Sequence, residues 1–244
     1  MSNVVGMRRV LPVAVALAIG VTGTAQAKQI DGTPGNDHIR GSRGADVING
    51  LAGDDQIGAG RGADVVNGNL GNDRIWGGRG ADQLHGGVGD DRVWGHDGRD
   101  TNYGDEGNDL MGGGTGADKQ YGGPGNDTIY AGRGRDETWG EGGDDTLWAL
   151  ARQDVHGRHD TRGDVLHGGE GNDTFKTRDG EADVVDCGPG VDTALLDFKD
   201  VVADATQQNP NGSCEVINRQ PRAKRGENAK EDTTPSSPSD VSGT

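Results

Sequence analysis

Gly86-Gly87-Val88-Gly89-Asp90-Asp91-Arg92-Val93-Trp94 and Gly122-Gly123-Pro124-Gly125-Asn126-Asp127-Thr128-Ile129-Tyr130 are two versions of one nine-residue unit. Outward from them, aspartate returns at every ninth position: Asp37, Asp46, Asp55, Asp64, Asp73, Asp82, Asp91, Asp100, Asp109, Asp118, Asp127, Asp136 and Asp145. A glycine stands two residues before each, from Gly35 to Gly143. A strict short period means a stack of like coils, not one folded globule. With aspartate written sixth, the first unit is Gly32 to Arg40 and the thirteenth is Gly140 to Trp148. Position 1 is glycine except at Ala59 and Ala131, and position 8 is mostly apolar, as in Ile39, Ile48, Ile57, Val66, Ile75, Leu84 and Val93. Glycine admits the positive φ of tight turns, and an apolar residue flanked by polar ones reads as a half-buried strand. Each unit is therefore a turn followed by a short strand that only stacking can stabilise, and the column of carboxylates requires cations.

These units resemble the calcium-binding nonapeptide of the RTX (hemolysin-type) repeat family, without a gap from residue 32 to 148. The resemblance implies an all-β fold, a right-handed parallel β-roll (RTX β-solenoid) with two nonapeptides per coil and calcium held between the turns. It also implies the metal ligands: the position 6 carboxylates named above, Asp173 in a later unit, and backbone carbonyls of the turns. Hard oxygen donors of this kind suit calcium. If each ion lies between a turn and the next turn on the same edge, the seven odd and six even units leave about eleven sites. Extracellular calcium modules bind at about 10⁻⁴ to 10⁻³ M.

The residues support two units per coil independently. Position 5 is Asn36, Asp54, Asn72, Asp90, Asn108, Asn126 and Asp144 in odd units, but Ala45, Ala63, Ala81, Arg99, Ala117 and Arg135 in even ones. At position 3, Arg43, Arg61, Arg79 and Arg133 are confined to even units. The chemical period is thus eighteen residues, which places odd and even turns on opposite edges of a flattened coil. Arginine near the even carboxylates is expected to oppose cation binding there.

Five segments follow: a signal peptide at 1–27, the regular roll at 28–148, an insertion with the start of a worn repeat at 149–163, degenerate repeats with a C-terminal cap at 164–218, and a disordered tail at 219–244. Arg8 and Arg9 precede an apolar run from Val10 to Val21, and Ala25-Gln26-Ala27 is a small-x-small cleavage site, so Lys28 begins the mature chain. The run is short for a membrane anchor, which is the alternative, and no membrane span is expected after cleavage. After the insertion, Asp164-Val165-Leu166, Asn172-Asp173, Ala182-Asp183 and Gly190 to Asp192 continue the pattern, extending the roll to about residue 195. That makes roughly eight and a half coils, or about 40 Å at ~4.8 Å per strand. In an exported chain Cys187 and Cys214 are expected to pair and close the cap, with two free thiols as the alternative.

Forty-seven glycines, 30% hydrophobic residues and a net charge of -16 are too apolar-poor for an ordinary core and read equally as disorder. Both readings hold if the chain is unfolded without calcium and folded with it. Aspartates stacked about 5 Å apart repel by about 0.8 kcal/mol per pair in water. Calcium binding is therefore expected to be coupled to folding.

All tryptophans and tyrosines stand at position 9: Trp76, Trp94, Tyr103, Tyr121, Tyr130, Trp139 and Trp148. Alternation along a strand turns position 9 outward when position 8 is inward. Two readings stay open, cross-strand stacking that stabilises the roll and an exposed face for glycans or a cell-surface protein. Asn102, Gln120 and Thr138 occupy position 8 beside the even-unit aromatics, so a register change that turns the rings inward is a further alternative. His156, His159 and His167, with Asp154 and Asp160, are either a zinc site or incidental loop residues. No His-Glu-x-x-His, Gly-x-Ser-x-Gly or P-loop pattern occurs, so no enzyme is expected. The position 3 residues of the odd units lack the threonine row that ice binding requires. No nucleic-acid partner is expected. The leading expectation is a secreted, extracellular calcium-binding structural or adhesive module, and the alternative is a calcium-dependent glycan-binding protein.

Overall fold

The structure, a computed structural model, describes residues 26–149, 163–205 and 212–220. The described residues form two parallel ten-stranded sheets and no helix. Successive strands alternate between the sheets, so one sheet holds the strands of the even units, such as Val47–Ala52 and Gln83–Val88, and the other those of the odd units, such as Gln56–Arg61 and Arg92–Gly98. Neighbours within a sheet pair at a shift of eighteen residues, as in Ile57 with Ile75 and Val66 with Leu84. The fold is a parallel β-roll with two nonapeptides per coil.

Strand alternation explains which side chains the roll encloses. Positions 6, 8 and 1 point inward, so Asp55, Ile57 and Ala59 are all buried, while Gln56 and Gly58 between them are partly exposed. The interior is only as wide as two facing position 8 columns. One cluster runs from Ile39 to Ile129 and another from Leu147 to Cys214. Between them on the even sheet stand Asn102, Gln120 and Thr138, fully enclosed at position 8. Their strands keep the common register, with Gln120 opposite both Asn102 and Thr138, so the neighbouring aromatics stay outside and the register change does not occur. Gln120 donates to the carbonyl of Tyr130 at 2.9 Å, whereas Asn102 Oδ1, Gln120 Oε1 and Thr138 Oγ1 have no protein partner.

Glycine is required at position 4 by contact as well as by conformation. Gly80 has φ of 146°, and a Cβ there would fall on the carbonyl oxygen of Gly62 in the preceding coil. Position 2 also takes positive φ, and there Leu51, Asn69, His96, Asp105 and Glu141 accept it without being glycine.

The roll runs further than residue 195. Val201–Val202 adds to the even sheet beside Val184–Asp186, and Val216–Arg219 adds to the odd sheet beside Thr193–Leu196. Neither has the glycine spacing that marks a repeat, because the last strands need only pair on one side. Cys187 and Cys214 are joined by a disulfide, and both are buried in the second cluster. Residues 1–25 of the expected signal peptide, Asp154, His156, His159 and Asp160, and residues 221–244 of the tail lie outside the described residues. Among the described residues no helix is long and apolar enough to cross a membrane.

Candidate metal centre

Because position 6 lies on the inward face, each aspartate enters the edge of the roll and meets the turn of the adjacent coil. On the odd edge the backbone N–H of Asp37 donates to Oδ1 of Asp55 at 2.8 Å, that of Asp55 to Asp73 at 2.8 Å, and that of Asp73 to Asp91 at 2.7 Å. The chain of bonds continues through Asp109, Asp127 and Asp145. The even edge repeats it from Asp46 through Asp64, Asp82, Asp100 and Asp118 to Asp136.

One oxygen of each carboxylate is thereby satisfied, but the other is not. Oδ2 of Asp55, Asp64, Asp73, Asp82, Asp91, Asp100, Asp109, Asp118, Asp127, Asp145 and Asp173 is buried with no hydrogen-bond partner. A buried unpaired carboxylate oxygen is expensive, so this column is incomplete without a cation or a proton. Around Asp55 the position 1 glycine, Gly50, leaves room: a Cβ there would overlap Asp55 Oδ2 and come within 2.8 Å of the Gly68 carbonyl. Carboxylate and carbonyl oxygens thus share a space that glycine keeps open. Among the described residues no three Asp, Glu, His or Cys side chains converge on one point. A cation on the column must therefore take its remaining ligands from turn carbonyls, which is hard-oxygen coordination.

Burial, opposed by the N–H bond from the neighbouring coil, raises the carboxyl pKa along the column. Asp73 is pushed up to about 6, Asp82 to about 7, and Asp91 and Asp145 to about 8. Like charges one coil away add to the rise. Arg99 acts the other way on Asp118, which reaches about 6.

The first coil departs from the pattern. Oδ2 of Asp37 accepts from the N–H and hydroxyl of Thr33, and Oδ2 of Asp46 from the N–H of Ser42 at 2.5 Å. Hydroxyl residues at position 2 thus supply these two carboxylates with partners that later ones lack. The far end extends beyond the sequence expectation. Asp136 donates to Asp164, Asp164 to Asp183, and Asp183 to Asp200; Asp145 donates to Asp173, Asp173 to Asp192, and Asp192 to Glu215. Asp183 and Asp192 also have unpartnered buried Oδ2 atoms. The sequence signal for Asp164, Asp183 and Asp192 was their place in worn units, whereas Asp200 and Glu215 have none.

Position 5 now has a physical meaning. On the odd edge Oδ1 of Asn72 accepts the N–H of Asp90 at 2.7 Å, and Oδ1 of Asp90 that of Asn108 at 2.9 Å. This exposed ladder runs antiparallel to the aspartate one and needs Asn or Asp. The even edge, with Ala or Arg, does without it. His167 stacks on Trp139 with centroids 5.4 Å apart and lies 3.3 Å from Asp186, and among the described residues no metal-binding group of side chains includes it.

A profile of the RTX calcium-binding nonapeptide repeat, four copies long, matches residues 31–66, 67–101, 103–120, 112–147 and 160–194. No curated protein matches the chain. With most of the roll covered, the chain belongs to the RTX calcium-binding nonapeptide-repeat family.

Proposed function

We propose that this calcium-binding roll is an exported module whose folding is switched on by calcium, with a structural or adhesive role outside the cell. The observation that carries this reading is the column of buried carboxylates whose Oδ2 atoms have no partner. Asp55 to Asp145, followed by Asp164, Asp173, Asp183 and Asp192, supply the charge, and turn carbonyls supply the other ligands. The proposed load is about eleven ions in the regular tract, with further ions where the column continues after the insertion. In a medium of low calcium the same carboxylates repel one another and oppose folding; at the calcium levels of extracellular modules they hold the coils together.

The aromatic column supports a structural role. His85, Tyr103, Tyr121, Trp139 and His167 stack along the even sheet with centroids 4.3 to 5.4 Å apart and planes within 10° of parallel. Their faces cover one another and leave little ring face for a sugar. Calorimetric calcium titration of residues 28–244, with circular dichroism in parallel, tests the proposal. About eleven or more ions bound together with a gain of β structure is the expected result; one or two ions, or full β structure in chelator, overturns it.

A further inference from the structure

The two sheets carry opposite charge. On the strands of the odd sheet Asp97 is the only carboxylate among the described residues, against Arg40, Arg61, Arg74, Arg79, Arg92 and Arg133 in its first six strands. The even sheet reverses this, with Asp31, Asp105, Glu106, Glu137, Glu141, Glu170 and Asp186 against Lys119 alone on its described strands. In a chain of net charge -16, a face whose charged groups are almost all guanidinium is an anomaly that calls for an anion.

The arginines are ordered in rows. Arg74 and Arg92 are strand neighbours, as are Arg61 and Arg79. Arg79 meets Asp97 at 3.5 Å, but among the described residues Arg40, Arg61, Arg74 and Arg92 have no carboxylate within ion-pair distance. Successive strands lie about 4.8 Å apart, so each pair offers two donors one strand spacing apart along the roll axis. A linear polymer lying along that axis could meet every one.

Between the rows is a gap. At position 9 successive strands present Arg40, Gly58, Trp76 and Trp94. A Cβ at Gly58 would have nothing within 4 Å, so one strand width is open between Arg40 and the indole of Trp76. The other face of Trp76 is stacked on Trp94, at 6.1 Å and 11°. An indole face beside an open slot, with guanidinium groups around it, suits a sugar ring that carries an acidic substituent.

We propose that the N-terminal half of the odd sheet binds a linear anionic polysaccharide, with one sugar seated over Gly58 against Trp76 and its acidic groups paired to Arg40, Arg74 and Arg92. A lipid surface fits less well, because the exposed apolar side chains Leu51, Leu70 and Val88 stand on the opposite sheet. Duplex nucleic acid would find phosphate partners here, but no helix or ribbon projects from this flat face to enter a groove. The proposal rests on the calcium-folded roll, so folding is measured separately from binding.

The test uses residues 28–244 in excess calcium, with dextran sulfate and unmodified dextran as probes of matched backbone. Dextran sulfate is expected to bind, more weakly as salt rises, and dextran is not. Arg40→Gln, Arg74→Gln and Arg92→Gln together should weaken binding at least tenfold. Gly58→Leu, whose Cβ meets nothing within 4 Å and whose branch enters the slot, should weaken it several-fold. A charge-matched control on the even sheet, Gln29→Glu with Gln83→Glu and Val88→Glu, should stay within about twofold of the parent if docking is local, not a net-charge effect. Circular dichroism in calcium verifies that each variant is folded. Equal loss in the control, full binding by the arginine variant, or tighter binding to oligonucleotides or anionic vesicles overturns the assignment.

Discussion

The backbone N–H of Asp73 donates to Oδ1 of Asp91, eighteen residues later, at 2.7 Å, while Oδ2 of the same carboxylate has no partner. One side chain thus ties two coils together and carries the charge for a cation. The two tasks are separable. Asp91→Asn keeps an oxygen for the Asp73 N–H and removes the charge, so calcium affinity should fall about tenfold while the folded variant at saturating calcium retains its β content. Asp91→Ala also orphans a buried N–H and should cost a further ~1–3 kcal/mol in chemical denaturation at saturating calcium. Equal stability of the two variants would mean that the hydrogen bond contributes nothing.

The carboxyl groups dictate a pH dependence. Burial raises Asp73, Asp82, Asp91 and Asp145 from the ordinary 3.8 to between about 6 and about 8. Between those limits the folded chain holds more protons than the unfolded chain, so in chelator its stability falls as pH rises from about 4 to about 8. Calcium-free protein should therefore gain β structure on acidification from pH 8 to pH 5. Protons on these carboxyls already favour the folded roll, so the calcium concentration at half-folding should fall over the same descent. Circular dichroism in chelator and in graded calcium, at both pH values, checks the two signs.

The position 8 column of the even sheet contains a fault. Thr138 is buried between Gln120 and Leu166 in register, and its Oγ1 has no protein partner. Thr138→Val exchanges the hydroxyl for a methyl of similar shape and should raise stability by about 1 kcal/mol, read from the denaturation midpoint at saturating calcium. A loss of stability would place a satisfied polar group there.

The regular roll was legible because nine-residue spacing fixes which residues face inward, and because the alternation of Asn72 with Ala81 reports two unequal edges. Legibility failed where the repeat stops being periodic. Glu215 takes the aspartate role at the last odd turn by reaching the N–H of Asp192 at 2.8 Å, with no spacing to announce it. Thr33 completes Oδ2 of Asp37 with its N–H and hydroxyl, and Ser42 completes Oδ2 of Asp46 with its N–H, contacts that the column pattern hides. Charge segregation was hidden for a different reason: arginines at positions 3, 7 and 9 are scattered in sequence and converge only once odd strands share one sheet.

Leu51 at position 2 has φ of 84°, where six of the other twelve regular units carry glycine, and the residue is 41% exposed. The left-handed conformation costs an L-residue about 1–2 kcal/mol, of which glycine's greater freedom in the unfolded chain returns part. Leu51→Gly should therefore stabilise the calcium-loaded roll by about 0.5–1 kcal/mol. Gly80→Ala should do the reverse, and more strongly, because its methyl would also strike the Gly62 carbonyl. Melting temperatures in saturating calcium compare the pair.

The disulfide holds the end of the roll shut. Cys214 lies two residues before the strand Val216–Arg219, which covers the edge of Thr193–Leu196, and its partner Cys187 follows the strand Val184–Asp186. Breaking the bond frees a closed loop of 27 residues in the unfolded chain, worth about 2–4 kcal/mol in favourable geometry. The loss should fall first on the last strand, which pairs on one side only. Its release uncovers the unpaired backbone of Thr193–Leu196, an edge that invites pairing with another chain. Cys187→Ser with Cys214→Ser should thus leave calcium binding by the regular tract intact, speed amide exchange at Val216–Arg219, and promote concentration-dependent association. Association and exchange at Val216–Arg219 both unchanged from the parent would show that the cap does not guard the edge.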